Sequence, residues 1–331
     1  MDSISRMLLE TRFYGPYNLA TMLQILTGDV DENTGDESEN RPIHIATLSN
    51  HLFVLKMLVN KRVNVNIKNK DQNAALHIAV NKVYLEIVQF LLESGADVNA
   101  KNAEEDSVLF IAIKKLNDET TILGHLSAEQ QQTSQRVCDD LKKIIELLID
   151  STKIDLTLFN KNGLNCLHYA IKLGNEFAFN KIVEKNASLL SLLDSRGYSN
   201  LHHAVENKRI DIVQHLLKAK QRENCDMQSM SPLHCAIFTD NLSAAVLLVT
   251  NGADCNAGDH IHRTPLHLVL GYLQSNQDGE CEKAFIENPH NKIVEILKIF
   301  KDNLIPEKAH LVLAAYMIKH GNANLFAEND F

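Results

Sequence analysis

Apolar residues in this chain fall in paired short patches rather than in long runs. In the clearest copy, residues 70–100, Leu76 and Ala79 make one patch and Ile87, Val88, Leu91 and Leu92 a second, spaced so that each lies on one face of a helix. The remaining positions of both predicted helices are polar, and Gly95-Ala96-Asp97-Val98-Asn99 closes the unit. The first patch belongs to a recurring phrase: Pro42-Ile43-His44-Ile45-Ala46, Ala75-Leu76-His77-Ile78-Ala79, Cys166-Leu167-His168-Tyr169-Ala170, Asn200-Leu201-His202-His203-Ala204, Pro232-Leu233-His234-Cys235-Ala236 and Pro265-Leu266-His267-Leu268-Val269. Its His recurs at intervals of 33 (His44 to His77), 34 (His168 to His202), 32 (to His234) and 33 (to His267). One two-helix unit buries too little apolar surface to offset its chain entropy, so such units must stack on one another.

The pattern therefore predicts an all-α solenoid of about seven helix-turn-helix repeats. Helix starts are expected near Arg41, Ala74, Ser107, Asn165, Ser199, Ser231 and Thr264, with Pro232 and Pro265 at the first helical position behind Ser231 and Thr264 as N-caps. Gly95, Gly252 and Gly321 fit helix ends in the left-handed region. The third repeat is degenerate, with Phe110 in the His slot, and about 25 surplus residues separate it from the next phrase. They fall near 117–135, where a polar Glu129 to Gln135 stretch suits a loop or a lengthened, solvated outer helix. A second insertion is expected near 271–307, with an accessory helix carrying Ile293, Val294, Ile296, Leu297 and Phe300. The domain organisation is then an N-terminal helical cap and acidic linker over 1–39 and a repeat domain over 40–331. Ala327 to Phe331 reads as the start of an eighth repeat, which suggests part of a longer protein.

Composition narrows the function. No run approaches the roughly 18 apolar residues of a membrane span, and the N-terminus, with Arg6, Glu10 and Arg12, lacks a signal-peptide core, so cytoplasm or nucleus is the expected address. Cys138, Cys166, Cys225, Cys235, Cys255 and Cys281 form no Cys-x-x-Cys pair and read as buried small side chains. No metal is expected; the densest candidate, Asp259-His260-Ile261-His262, sits in a predicted inter-repeat turn. A net charge of −9 argues against nucleic acid as partner. An acidic stretch, Asp29 to Glu39, precedes Lys56, Lys61, Arg62, Lys68 and Lys70: a solvated loop beside a solvated helix face, or an electrostatic docking patch near the first two repeats. The recurring His, one per repeat at one helical position, reads as a hydrogen-bonding device rather than a catalyst or ligand. Without a nucleophile–base pattern, Gly-rich phosphate loop or His-Glu-x-x-His phrase, the chain reads as no enzyme and as needing no cofactor.

Over about 40–331 these phrases resemble the ankyrin-repeat family, with its Leu-His-x-Ala and Gly-Ala-Asp-x-Asn signatures. That resemblance implies a protein partner on a concave face built from inner helices and turn tips. Mapped by position, the residue two after each repeat Ala faces the groove, giving Leu48, Asn81, Lys114, Lys172, Glu206 and Phe238. The tips add Tyr198, Met230 and Arg263 to this set, beside Lys70, Glu105, Lys161 and Arg196. Phe238 stands out as an aromatic in a slot expected to face water; it is either a contact or tucked against the next repeat. Ala75 to Lys82 and the late Gly-Asn-Ala-Asn-Leu resemble the ankyrin region of mind bomb ubiquitin ligases, which implies a scaffold or substrate-recognition segment without catalysis of its own. Ile237 to Leu242, Gly252 to Asn256 and Arg263 to His267 are similar to cytoplasmic inhibitors of NF-kappaB, and Asn99 and Asn256 resemble sites of asparaginyl hydroxylation in this family.

Overall fold

The computed structural model of the chain describes residues 36–123, 127–219, 230–269 and 317. The expected insertion at 271–307 and the predicted cap, apart from 36–39, lie outside the described residues. Within them the backbone forms helix pairs: α1 (Pro42–Leu48) with α2 (Leu52–Asn60), α3 (Ala75–Asn81) with α4 (Leu85–Glu93), α5 (Val108–Leu123) with α6 (Ala128–Asp150), α7 (Cys166–Leu173) with α8 (Glu176–Lys185), α9 (Asn200–Glu206) with α10 (Ile210–Lys218), and α11 (Pro232–Phe238) with α12 (Leu242–Thr250). A further helix, α13, spans 265–269. Arg41, Ala74, Ser199 and Ser231 cap α1, α3, α9 and α11. The helices after Ser107, Asn165 and Thr264 begin at the next residue, so all seven starts fall where the repeat phrase puts them. No extended strand forms among the described residues; the only pairings are isolated bridges, Lys101 with Ser107 and Leu193 with Ser199.

A seven-residue helix has no stability of its own in water. The phrase supplies the remedy. Its Leu or Ile is buried in every copy, Ile43, Leu76, Leu167, Leu201, Leu233 and Leu266 being 2% exposed or less, and each such side chain contributes roughly 1.5–3 kcal/mol on full burial. The phrase Ala, at 46, 79, 170, 204 and 236, is fully buried where the two helices of a pair meet. Its carbonyl accepts the N–H five residues on, from His51 to Ala46 (2.9 Å), Tyr84 to Ala79 (3.0 Å), Arg209 to Ala204 (2.8 Å) and Asn241 to Ala236 (2.7 Å). That bond turns the chain into the outer helix. A residue with positive φ makes the turn: Asn50, Val83, Gly174, Lys208 or Asp240.

The chain divides into two compact units, 1–170 with 177–186, and 171–176 with 187–331. In the first, α3 packs between α1 and α5 while α4 packs on α6. In the second, α9 packs on α11 and α10 on α12. Residues 117–123 form the far end of α5 and 128–135 the start of α6, so both helices of the third repeat are lengthened, to 16 and 23 residues. Ser127 donates from N and Oγ to Gln130 Oε1 (3.2 and 3.1 Å) at the start of α6, and Ser134 Oγ reaches Glu119 across the hairpin at 3.2 Å.

Between repeats the chain runs through a tip whose geometry is the same in every described copy. An Asp or Asn (Asp36, Asn69, Asn102, Asn160, Asp194, Asp259) accepts through Oδ1 the N–H groups two and four residues ahead, all at 2.8–3.2 Å. Three residues after it comes positive φ, at Glu39, Gln72, Glu105, Gly163, Gly197 and His262.

Candidate protein-binding groove

The repeat histidines are structural ties. Each takes a backbone N–H on Nδ1, from Arg41, Ala74, Asn165, Ser199, Ser231 and Thr264 at 2.9–3.4 Å. Four of them meet a carbonyl of the following tip through Nε2: His44 with Ile67 (3.0 Å), His77 with Ala100 (3.0 Å), His202 with Met230 (3.0 Å) and His234 with Arg263 (2.9 Å). A carbonyl only accepts, so Nε2 carries the proton and these rings are the neutral Nε2–H tautomer. Burial, outweighing its hydrogen bonds, holds the His77 ring down to about 4 and lowers His44 as well. Phe110 replaces the tie in the third repeat by packing, its ring 5.2 Å from that of Tyr169. Cys138, Cys166, Cys235 and Cys255 are buried free thiols, and burial pushes Cys166 up to about 12.

Other polar side chains join neighbouring repeats in the first unit. Asn66 donates to Gly95 O (3.3 Å) and accepts from Asp97 N (2.7 Å); Asn99 does the same with Lys153 O (2.7 Å) and Asp155 N (2.8 Å). Lys68 reaches Lys101 O and Lys101 reaches Phe159 O, both at 2.6 Å. Of the suggested docking lysines, Lys68 is thus engaged in this way, while Lys56 lies over the Phe90 ring at 5.8 Å.

Against this bonded framework a concavity of about 600 Å³ lies open within the first unit. Its tip wall carries Asn40, Asn69, Asp71, Asn102, Glu104 and Asp106; its helix wall carries Leu48, Asn81, Lys82, Ile111, Lys114, Lys115 and Asp118. The structure therefore brings together three of the sequence-derived contact positions, Leu48, Asn81 and Lys114, all exposed. Glu104 pairs with Lys161, a tip residue of the next repeat. Burial raises the Asp106 carboxyl above its ordinary range against the opposing pull of the Asn160 amide, at 3.0 Å, and of Lys114.

In the second unit Lys172, Glu206 and Phe238 are exposed at or near the ends of α7, α9 and α11. Phe238, at 66%, is exposed rather than tucked. The tips behave differently. Tyr198 is held with the Arg196 guanidinium 4.5 Å from its ring centre and the His202 ring stacked at 5.1 Å. Arg263 makes a two-pronged pair with the buried Asp259 (3.0 and 2.9 Å), and Met230 presents its carbonyl to His202.

The family model described as ankyrin repeats (3 copies) matches residues 13–102, 134–228, 181–259 and 201–299, well over half of the chain. The chain belongs to the ankyrin-repeat family. Among its relatives, the B-cell lymphoma 3 protein homolog of Mus musculus is 32% identical over 146 residues, 43% of this chain and 31% of that protein. The nuclear factor NF-kappa-B p105 subunit of Mus musculus is 34% identical over 88 residues, 25% of this chain and 9% of that protein. The chain spans less than a third of the length of both relatives. The crystal structure of the ankyrin repeat domain of Bcl-3, described there as a member of the IkappaB protein family, shares the fold, with a TM-score of 0.57 at 24% identity over 70% of this chain and 95% of that one. The resemblance to NF-kappaB inhibitor-like ankyrin proteins is thus supported by sequence relatives.

Ankyrin repeats are generally protein–protein interaction modules, and this ankyrin chain is all-α within the described residues. No described helix is long and apolar enough to cross a membrane, and no cluster of three His, Cys, Asp or Glu among the described residues is placed to hold a metal ion. The phrase-based mapping missed Lys82 and Lys115, which line the groove one residue beyond Asn81 and Lys114. It also missed the tip Asp and Asn residues. Their signal was present: each described one lies eight residues before the repeat His or, at Asn102, before Phe110.

Proposed function

We propose that the chain is a non-catalytic module that binds a partner protein on the face made by its inner helices and turn tips. One observation carries this reading. All six positions two after the repeat Ala, Leu48, Asn81, Lys114, Lys172, Glu206 and Phe238, are exposed although the helices bearing them are otherwise deeply buried. Folding does not require an open leucine and an open phenylalanine there; contact with another surface does. The six repeat histidines are engaged in hydrogen bonds and the four described cysteines are buried, which supports a role without catalysis, cofactor or metal. The NF-kappaB inhibitor-like relatives support a place in signalling, in cytoplasm or nucleus. A second reading, a scaffold or substrate-recognition segment of a larger regulatory protein such as a ubiquitin ligase, rests on the resemblance of Ala75 to Lys82 to the ankyrin region of mind bomb ligases.

The test compares wild type with Leu48→Arg combined with Asn81→Arg, and with Phe238→Ala, as baits for proteins identified by mass spectrometry. The expected outcome is loss of captured partners at unchanged melting temperature. Identical capture by every bait refutes the chosen face.

A further inference from the structure

We infer that the first unit pairs with a second copy of this chain, the α5 helix of each lying antiparallel against that of the other. This rests on the reading that the inner-helix face binds protein, and it names the occupant of the first-unit part of that face. Register sets α5 apart from its neighbour. Lys114 matches Asn81, where α3 ends, yet α5 runs on to Leu123, so residues 115–123 project past the end of α3. Along its open side Ile111, Lys115, Asp118 and Ile122 follow one another at steps of four, three and four residues, which places them on one helix stripe. Ile111 and Lys115 are half-buried and Asp118 is exposed; these three line the groove. Ile122, beyond it, is 48% exposed. Neither Lys115 nor Asp118 makes a close ion pair with a described residue.

The stripe is complementary to itself. Its steps are the same read in either direction, so turning it end for end exchanges the two isoleucines and brings each charge to the place of its opposite. Across a two-fold axis Lys115 meets the partner's Asp118, Asp118 meets the partner's Lys115, and Ile111 meets the partner's Ile122. The same operation carries the projecting end of each α5 to the other's groove, where Ile111 and Leu48, the latter 39% exposed, offer apolar surface. Three lysines line that groove against the carboxylates of Asp71, Glu104, Asp106 and Asp118. A lining so nearly balanced in sign favours neither an acidic nor a basic partner and suits a surface that meets its own copy. Two helices in contact over about three turns, about 16 Å, make a small interface, so association is weak and depends on concentration.

Sedimentation velocity of the full chain from about 1 to about 100 µM tests the proposal. Wild type is expected to pass from monomer to dimer across that range. Lys115→Asp and Asp118→Lys each set like charges opposite one another at both crossings, so either variant alone should self-associate about tenfold more weakly or worse. Mixed in equal amounts, the two variants regain both opposite-charge pairs and should form a heterodimer at wild-type concentrations. The double variant, with the two charges exchanged, should dimerise again. Rescue on mixing also shows that each single variant is folded. A wild type that stays monomeric throughout overturns the self-pairing, while the partner-capture test of the same face stands or falls separately. Self-association indifferent to the single variants overturns it too, since the contact then lies elsewhere. Single variants that dissociate but fail to rescue one another overturn the antiparallel arrangement.

Discussion

At the scale of single residues, the same turn position is solved with different cost in different repeats. The residue that swings the chain from inner to outer helix has φ of 55° at Asn50, 73° at Gly174, 55° at Lys208, 51° at Asp240 and 60° at Val83. Asn and Asp tolerate this region because a short polar side chain bonds locally, and Gly has no Cβ; a β-branched residue has neither escape. Val83 therefore holds strain that Asn50, Gly174 and Asp240 avoid, on the order of 1–2 kcal/mol. Val83→Asn, which copies the first repeat, is expected to raise stability by about 1 kcal/mol in urea denaturation. A loss of stability would mean that packing by the half-buried valine outweighs its backbone cost. Gly174 shows the opposite constraint, since a Cβ there would stand 2.6 Å from Arg209 Cζ, whose guanidinium also bonds Leu173 O at 3.0 Å.

At the scale of elements, helix pairs are joined by polar bonds as well as by apolar contact. His202 illustrates the point in the second unit: it is fully buried, it takes the Ser199 N–H (3.2 Å) and hydroxyl (2.8 Å), and it holds the Met230 carbonyl (3.0 Å). His202→Leu keeps the volume and strands two backbone groups away from water, so a loss of about 2–4 kcal/mol is expected by chemical denaturation. A loss under about 1 kcal/mol would show that solvent reaches those groups. Why one part of this design was legible in the sequence and another was not follows from the physics. The Leu-His-x-Ala phrase could be read because one spacing must satisfy helix period, cap and neighbour at once. The tips were not read because their demand is only for a carboxylate or amide oxygen, met by Asp36 and Asn69 alike. The lengthened α5 and α6 were half legible: the polar stretch admitted loop or helix, and the Ser127 and Gln130 pair shows which. For the groove, periodicity pointed to Leu48, Asn81 and Lys114, but whether a groove charge is free depends on partners distant in sequence. Lys161 and Glu104, which pair, stand on either side of the lengthened third-repeat hairpin in the sequence.

At the scale of the whole molecule, the repeated burial of neutral imidazole makes stability depend on pH in a definite direction. His77 has its folded pKa at about 4, below the ordinary 6.5, with burial as the largest cause, and burial lowers His44 and His51 too. Between those two values the unfolded chain binds protons that the folded chain refuses, so this contribution is full above pH 6.5 and is lost progressively as pH falls toward 4. For His77 the shift corresponds to about 3 kcal/mol as an order of magnitude. The tip carboxylates act lower on the scale. Burial tends to raise Asp36, Asp194 and Asp259, but hydrogen bonds, joined at Asp194 by Arg196 and at Asp259 by Arg263, more than offset it and leave all three below 3.8. Their contribution is lost only as pH falls below 3.8 through those depressed values. Asp106, raised by burial, works the other way and blunts the fall slightly. The expected result is a urea midpoint that declines from pH 6.5 downward, well before the carboxylates titrate. His77→Gln should lower stability at pH 7 yet flatten the slope between pH 6.5 and 4, because the variant has no imidazole to protonate on unfolding. An unchanged slope would show that His77 does not carry this part of the acid sensitivity.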